Sequence, residues 1–492
     1  MFNFLHMCGL AAEATLSTTA SWDLYETIQA LFQAPSYHLV FEAALILWIV
    51  GLLFTKSYSS KVNKLTLTDK EKADLVEEWQ PEPLVPNVPE DDPELINIRT
   101  RIVDSKLGKY VTLNGQKCLN MASLNFLAMV GKEVIEEEAV KSLKKYGVGA
   151  CGPRGFYGTV DVHLEEEEKL AQFMGTEEAI VYSYGFATIA SAIPAYSKRG
   201  DIIFCDEGVC FAIQKGIQAS RSKVKMFRHN DTADLERLLT LHAEEERKDV
   251  KKARVTRKFL IVEGLYVNYG DICPLPKLME LKWKYKLRLF MDESISFGTL
   301  GKTGRGVTEH FNVPIDDVDF ISASLENALG SFGGFGCGKS YVIDHQRLSG
   351  LGYCFSASTP PMLSQAAIVA LDLLKNTPDM VDRLHANSAY LHEKLSRVPG
   401  LRVVGDTVSP VLHLQLAESD RKRASAMATL RCIVQMAEEE GVALVVASYL
   451  EKDERHLPPP SIRLAVNCDL DEKEMDRVVE VIDHACLASS NS

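Results

Sequence analysis

The stretch Ser324-Leu325-Glu326-Asn327-Ala328-Leu329-Gly330 runs on into Ser331-Phe332-Gly333-Gly334. It sets an amide side chain within a small, glycine-rich segment. A lysine there would be a nucleophile, because its amine condenses with an aldehyde to an imine. The amide of Asn327 cannot do this. A second group of interest is Asp292, which follows the apolar run Leu287-Arg288-Leu289-Phe290-Met291. A strand there would place the carboxylate at the carboxyl edge of a sheet, where sites in α/β folds form. A third is the turn Tyr182-Ser183-Tyr184-Gly185-Phe186-Ala187. Glycine turns and helix N-termini aim N–H groups at anions, though a plain structural turn is the alternative.

One match is set aside. Gly333-Gly334-Phe335-Gly336-Cys337-Gly338-Lys339-Ser340 fits the phosphate-loop pattern GxxxxGK[ST]. That loop needs a strand before it and a helix after it. Tyr341-Val342-Ile343 reads instead as a strand, and no Mg²⁺-binding acidic strand is evident. The expectation is a glycine-rich turn feeding a β-strand.

The elements that must carry these groups follow from the apolar patterning. Runs at 179–182, 202–205, 258–262 and 287–291 read as buried parallel strands. Helices are expected between them, at Phe211 to Ser220 and Thr232 to Glu246. The alternation predicts a three-layer α/β/α large domain with a mostly parallel sheet over 98–370. A smaller α+β C-terminal domain follows over 371–492, with strands at Ser409 to Gln415 and Ser461 to Val466. The 492 residues are 46% hydrophobic and 25% charged, as a globular α/β protein requires. A net charge of -13 argues against nucleic acid as a partner. Eleven cysteines without a CxxC pair suit reduced thiols rather than disulfides, and argue against a zinc site.

The N-terminal region is of another kind. Residues 1–36 contain a candidate interfacial helix at 22–32. Residues 37–57 are expected to form a transmembrane helix, bracketed by Tyr37 and Tyr58. Lys56, Lys61 and Lys64 follow it and place the rest of the chain in the cytosol. Residues 58–97 form a juxtamembrane and linker segment with Pro81, Pro83, Pro86, Pro89 and Pro93 among acidic residues, which stays extended.

The ordered motifs carry a resemblance. Gly147-Val148-Gly149-Ala150-Cys151-Gly152-Pro153-Arg154-Gly155-Phe156-Tyr157-Gly158-Thr159, the Tyr182 to Ala187 turn and Asp292 together resemble the α-oxoamine synthases. These are enzymes of the aspartate-aminotransferase fold that use pyridoxal phosphate (PLP) to join an amino acid to an acyl-CoA. The likeness runs from about residue 98 to the C-terminus and is nearest to the long-chain base subunits of serine palmitoyltransferase. It implies the PLP-transferase fold type I. It also puts Asp292 where the family holds the ring nitrogen.

The departures are consistent with one another. Asn327 stands where the family has its Schiff-base lysine, Cys210 where a histidine stacks on the ring, and Ile295 where a histidine meets the ring oxygen. Lys339 falls about twelve residues late and points elsewhere. The resemblance therefore implies a chain inactive alone, with Asp292 vestigial. Its partner would be the catalytic long-chain base subunit, which supplies the lysine and binds PLP. The pair would condense L-serine with palmitoyl-CoA. Ser356 and Ser358 are candidate contacts to the partner's PLP, and Cys151 and Arg154 are expected near the shared site. Small activating subunits, ORMDL regulators and a single-pass location in the endoplasmic reticulum membrane are implied by resemblance alone. Two rivals are an active enzyme with an unusual base and a membrane-anchored scaffold or regulator with no role in a partner's site.

Overall fold

The computed structural model describes residues 36–54, 67–81, 83–84, 101–418 and 422–490. It divides into two units, residues 1–89 and 90–492.

In the first unit, α1 is Ser36–Phe54 and α2 is Asp69–Glu78. Thr68 caps α2, accepting from Glu71 N while its own backbone N–H donates to the Glu71 carboxylate at 2.7 Å. Along α1, Tyr37, Val40, Phe41, Ile46, Leu47, Trp48 and Ile49 are exposed. Its 19 residues rise about 28 Å, against about 30 Å for a bilayer core. His38 and Glu42 interrupt its first half. Among the described residues no helix is long and apolar enough to cross a membrane. The transmembrane span expected at 37–57 is therefore not shown: a helix covers residues 36–54, and residues 55–57 lie outside the described residues. So do the candidate helix at 22–32 and Pro86, Pro89 and Pro93 of the linker.

The second unit is built on three sheets. The hairpin β1 (Tyr110–Leu113) and β2 (Gln116–Asn120) leads to α3 (Glu133–Tyr146) and α4 (Asp161–Met174). Then follow β3 (Glu178–Tyr182), α5 (Gly185–Tyr196), β4 (Ile202–Asp206), α6 (Phe211–Ser220), β5 (Lys223–Phe227) and α7 (Thr232–Lys248). Next come β6 (Lys258–Glu263), α8 (Leu275–Tyr285), β7 (Arg288–Asp292), β8 (Phe320–Ser324), β9 (Gly334–Gly338) and α9 (Ser340–Ser349). The remainder holds α10 (Pro361–Asn376), α11 (Asp379–Leu395), β10 (Leu401–Val404), β11 (Val411–Leu416), α12 (Arg423–Glu439), β12 (Val442–Ala443), β13 (Val445–Val446), β14 (Ile462–Ala465) and α13 (Glu472–Ser490). The boundary expected between 370 and 371 lies within α10, which runs unbroken from Pro361 to Asn376.

The central sheet has the order β3-β9-β8-β7-β6-β4-β5. All its strands are parallel except β9, which is antiparallel to β3 and β8. Every residue of β4, β8 and β9 is buried. Strands covered on both faces read as unbroken apolar runs, which is why periodicity located β4; β8 and β9, made largely of serine, alanine and glycine, gave no such run and were not located. Each large apolar side chain buried there contributes about 1.5–3 kcal/mol. The second sheet is β10-β11-β14-β13 and the third β1-β2-β12.

The expectation for the GxxxxGK[ST] stretch needs correction. Its glycines form β9 itself, and Tyr341-Val342-Ile343 lie in helix α9, not in a strand. The glycines are there for packing. A Cβ on Gly334 would sit 2.5 Å from Thr188 Oγ1, and one on Gly336 2.5 Å from the Phe320 ring. Lys339 lies past the Gly338 end of β9, which pairs with Glu178 at the start of β3. That is the opposite edge of the sheet from Asp292.

Candidate functional site

The parallel strands β6, β7 and β8 deliver their last residues to one edge. Glu263 ends β6 and stands in register with Asp292, which ends β7. Both are buried. Asp292 Oδ1 accepts from Ser294 N at 2.8 Å. Glu263 accepts from Cys210 N at 2.5 Å and from Val267 N at 3.1 Å. Burial raises the Asp292 carboxyl to about 6. Burial, and then the Asp292 charge, raise Glu263 to about 8. The two carboxyls therefore share a proton-rich, low-dielectric edge.

Asn327 follows β8. Its Nδ2 donates to Ser294 O at 2.8 Å, and its backbone carbonyl accepts from Phe126 N at 3.3 Å. The side chain is thereby turned to the Asp292 loop. Cys210 caps α6, and burial pushes its thiol far above the ordinary range, so it is a poor nucleophile. Ile295 is 4% exposed and packs in the core. Asp292, Glu263, Cys210, Ile295 and Asn327 share one cleft with Ser294, Ser324 and Glu326, and with apolar walls that include Phe186, Ile189 and Val267. Its empty volume is about 600 Å³, counting its open mouth, and among the described residues no Lys, Arg or His lines it. The cleft meets the N-terminus of α5, where Gly185 N donates to Glu326 Oε1 at 3.3 Å.

This cleft does not suit PLP. It offers no amine for an imine, no imidazole for the ring and no cation for a phosphate. The amide of Gly185, at the N-terminus of α5, already faces a carboxylate of the same chain.

The remaining candidates sit beside the glycine-rich loop. Arg154 is buried and forms a bidentate pair with Glu167, both bonds at 2.9 Å, with a third bond to Thr159 Oγ1 at 3.0 Å. It is a structural anchor of the loop. Cys151 is exposed and has φ 58°, a left-handed backbone that disfavours bulky residues. The loop is closed tightly: a Cβ on Gly158 would fall 1.9 Å from Gly152 O. Ser358 is buried, and both its N–H and its hydroxyl donate to Gly152 O, at 3.0 and 3.1 Å. Ser356 is half-buried, with long contacts only, to Ser183 Oγ at 3.5 Å and Ala357 O at 3.4 Å. Neither serine caps α10. Of the two, Ser356 keeps a hydroxyl to offer.

Sequence reasoning missed Glu263 and Glu326. Glu263 carried a signal, since it closes an apolar run just as Asp292 does. Glu326 carried none, because its partner lies 141 positions away.

Residues 116–482 match the model of the family "Aminotransferase class I and II". Serine palmitoyltransferase 1 of Dictyostelium discoideum is 40% identical over 93% of this chain and 96% of its own length. Long chain base biosynthesis protein 1b of Oryza sativa subsp. japonica is 42% identical over 92% and 94%. The chain belongs to the serine palmitoyltransferase 1 branch of the aminotransferase class I and II family. Serine palmitoyltransferase 1 of Saccharomyces cerevisiae is 39% identical over 79% of this chain and 72% of its own. The fold of this branch is shared with solved structures. A Sphingomonas wittichii serine palmitoyltransferase superposes with TM-score 0.72 at 24% identity, over 89% of this chain and all of its own. A structure of SPT with PLP as an internal aldimine gives 0.71 at 22%, over 81% and 96%.

Proposed function

We propose that this chain is the non-catalytic but required subunit of a serine palmitoyltransferase. The observation that carries the reading is Asn327. An amide, bonded to Ser294 O, stands in the cleft of a chain 40% identical to a protein named for that activity. A catalytic partner subunit of the same fold supplies the lysine and holds PLP. The pair condenses L-serine with palmitoyl-CoA to 3-ketodihydrosphingosine, the first step of sphingolipid synthesis, with release of CO₂ and CoA. This chain's part is to complete the partner's site with the segment 355–361, where the Ser356 hydroxyl makes only long contacts, at 3.5 and 3.4 Å. Ser358 ties that segment to Gly152 of the glycine-rich loop, which Arg154 anchors to Glu167. Small activating subunits and ORMDL regulators complete the assembly.

The test is to co-express and purify the two chains and assay serine with palmitoyl-CoA, beside each chain alone and a pair carrying Asn327→Lys. Activity is expected in the pair only. Turnover by this chain alone would overturn the reading of Asn327.

The same proposal places the fold at the cytosolic face of the endoplasmic reticulum, anchored by α1. Its support is the set of exposed apolar side chains Val40, Phe41, Leu45, Ile46, Leu47, Trp48, Ile49, Val50 and Leu52. Such a stripe in water would favour aggregation or burial in lipid. Alkaline carbonate should leave the full chain in the membrane pellet and release a chain that lacks 36–54. Equal release of both would rule out α1 as the anchor.

A further inference from the structure

Helix α5 begins without a cap of its own. Its N-cap residue, Tyr184, has no side-chain cap bond, and its first turn has no acidic residue. The first amides of a helix are orphan donors in a positive field, and an anion there is stabilising. The anion in this chain comes from the segment after β8. Glu326 Oε1 accepts from Gly185 N at 3.3 Å.

The placement is held from several sides. Glu326 N donates to Ser324 Oγ at 3.1 Å. Leu325 N donates to Gly333 O at 3.0 Å, and Ser331 N to Leu325 O at 3.1 Å. The end of β8 also presses on the start of α5: a Cβ added to Gly185 would lie 3.1 Å from Ser324 Oγ. The carboxylate therefore has short reach and a fixed origin, one residue before the amide that replaces the lysine. Among the described residues, the rest of the lining offers an anion no cation to pair with.

We infer that Glu326 is an internal substitute for the cofactor's phosphate, closing this chain's own cradle at the N-terminus of α5. The loss of PLP binding is then double. Asn327 removes the covalent bond, and Glu326 fills the place of the anion. Restoring the lysine alone does not restore the site. The inference deepens the reading of this chain as the subunit that leaves PLP to its partner. It is read out on this chain alone, so it fails separately from the activity of the pair.

The probe is pyridoxine 5′-phosphate, which has the ring and the phosphate but no aldehyde, so the lysine question does not enter. The purified full chain and its Glu326→Ser variant are titrated with it. Serine keeps a neutral acceptor and removes the charge, and Glu326 is exposed, so the fold tolerates the change. The variant is expected to bind about tenfold more tightly, the scale of a favourable charge at a helix N-terminus. In parallel, Asn327→Lys and the double variant are incubated with PLP and gel-filtered. The double variant is expected to keep the visible absorbance of lysine-bound pyridoxal, and Asn327→Lys alone to lose it. Equal pyridoxine phosphate binding by the wild type and Glu326→Ser would overturn the inference. So would full retention of PLP by Asn327→Lys alone.

Discussion

Arg154→Met is expected to destabilise the fold by about 3–5 kcal/mol, the usual effect of leaving a buried charge without its partner. The Arg154 and Glu167 side chains are 5% and 8% exposed. With the guanidinium gone, Glu167 keeps only Val181 N, which donates to Oε1 at 2.9 Å. The buried carboxylate is then left without its cation, and that is the source of the cost. The loop also loses the bond to Thr159 and the stacking of Arg154 over Tyr353, 5.6 Å from the ring centroid. The double variant Arg154→Met/Glu167→Gln separates charge from packing. Glutamine keeps an acceptor for Val181 N and carries no charge, so most of the stability should return. Urea midpoints of the wild type and both variants decide this. A double variant no more stable than Arg154→Met would mean that shape, not the unpaired carboxylate, governs the site. In the pair, Arg154→Met should also lower turnover, because the loop of Cys151 and the bond from Ser358 to Gly152 rest on the same anchor.

That network shows how far the sequence could be read. The strands were legible because β4, β6 and β7 are covered on both faces, and double burial demands unbroken apolar runs. Asp292 was legible because it ends such a run. Asn327, Cys210 and Ile295 were singled out by resemblance, and the structure gathers all three in one cleft. The role of Arg154 was not: a guanidinium in a glycine-rich loop reads equally well as a binding group, and only burial shows it committed to Glu167. The segment 341–343 misled because β-branched and aromatic residues suit a strand. Tertiary context made it a helix, with Ser340 N held by Glu177 Oε2 at 2.8 Å. Pairs far apart in the chain left no local trace. Glu326 with Gly185 is one, and His229 with its two carboxylates is another.

His229 sets the second large effect, a loss of stability as pH rises. Its Nδ1 lies 2.8 Å from Asp206 Oδ1 and its Nε2 3.0 Å from both oxygens of Asp271. Tyr269 stacks on the ring with centroids 4.0 Å apart. The ring is wedged in place, since a Cβ on Gly208 would come within 2.4 Å of it. Burial alone would lower the imidazole pKa, but the bonds to Asp206 and then Asp271 overcome it and raise it to about 10. The folded state thus holds a proton that the unfolded chain releases near 6.5. The clamp's contribution is complete below that value and is lost as pH climbs from 6.5 to about 10, at up to about 1.4 kcal/mol per pH unit. The buried carboxyls act in the same direction. Burial raises Glu166 and Glu263 to about 8 and Glu293 to about 7, so each also resists ionising as pH rises above its unfolded value of 4.5. On the acid side the limit is His413, which burial lowers to about 4. Its neutral ring is favoured by folding above 6.5, and that stability fades as pH falls toward about 4. His229→Gln should cost about 3 kcal/mol at neutral pH, by leaving Asp206 and Asp271 without their cation. It should also flatten the decline above neutrality to the part set by the carboxyls. Urea midpoints measured across that range test both claims, and a variant with an unchanged slope would show that His229 is not charged in the fold. The clamp holds the β4 end, from Asp206 to Gly208, just before Cys210. The same charge therefore fixes one wall of the cleft, and its loss in alkali should loosen the cleft's edge before the sheet beneath it gives way.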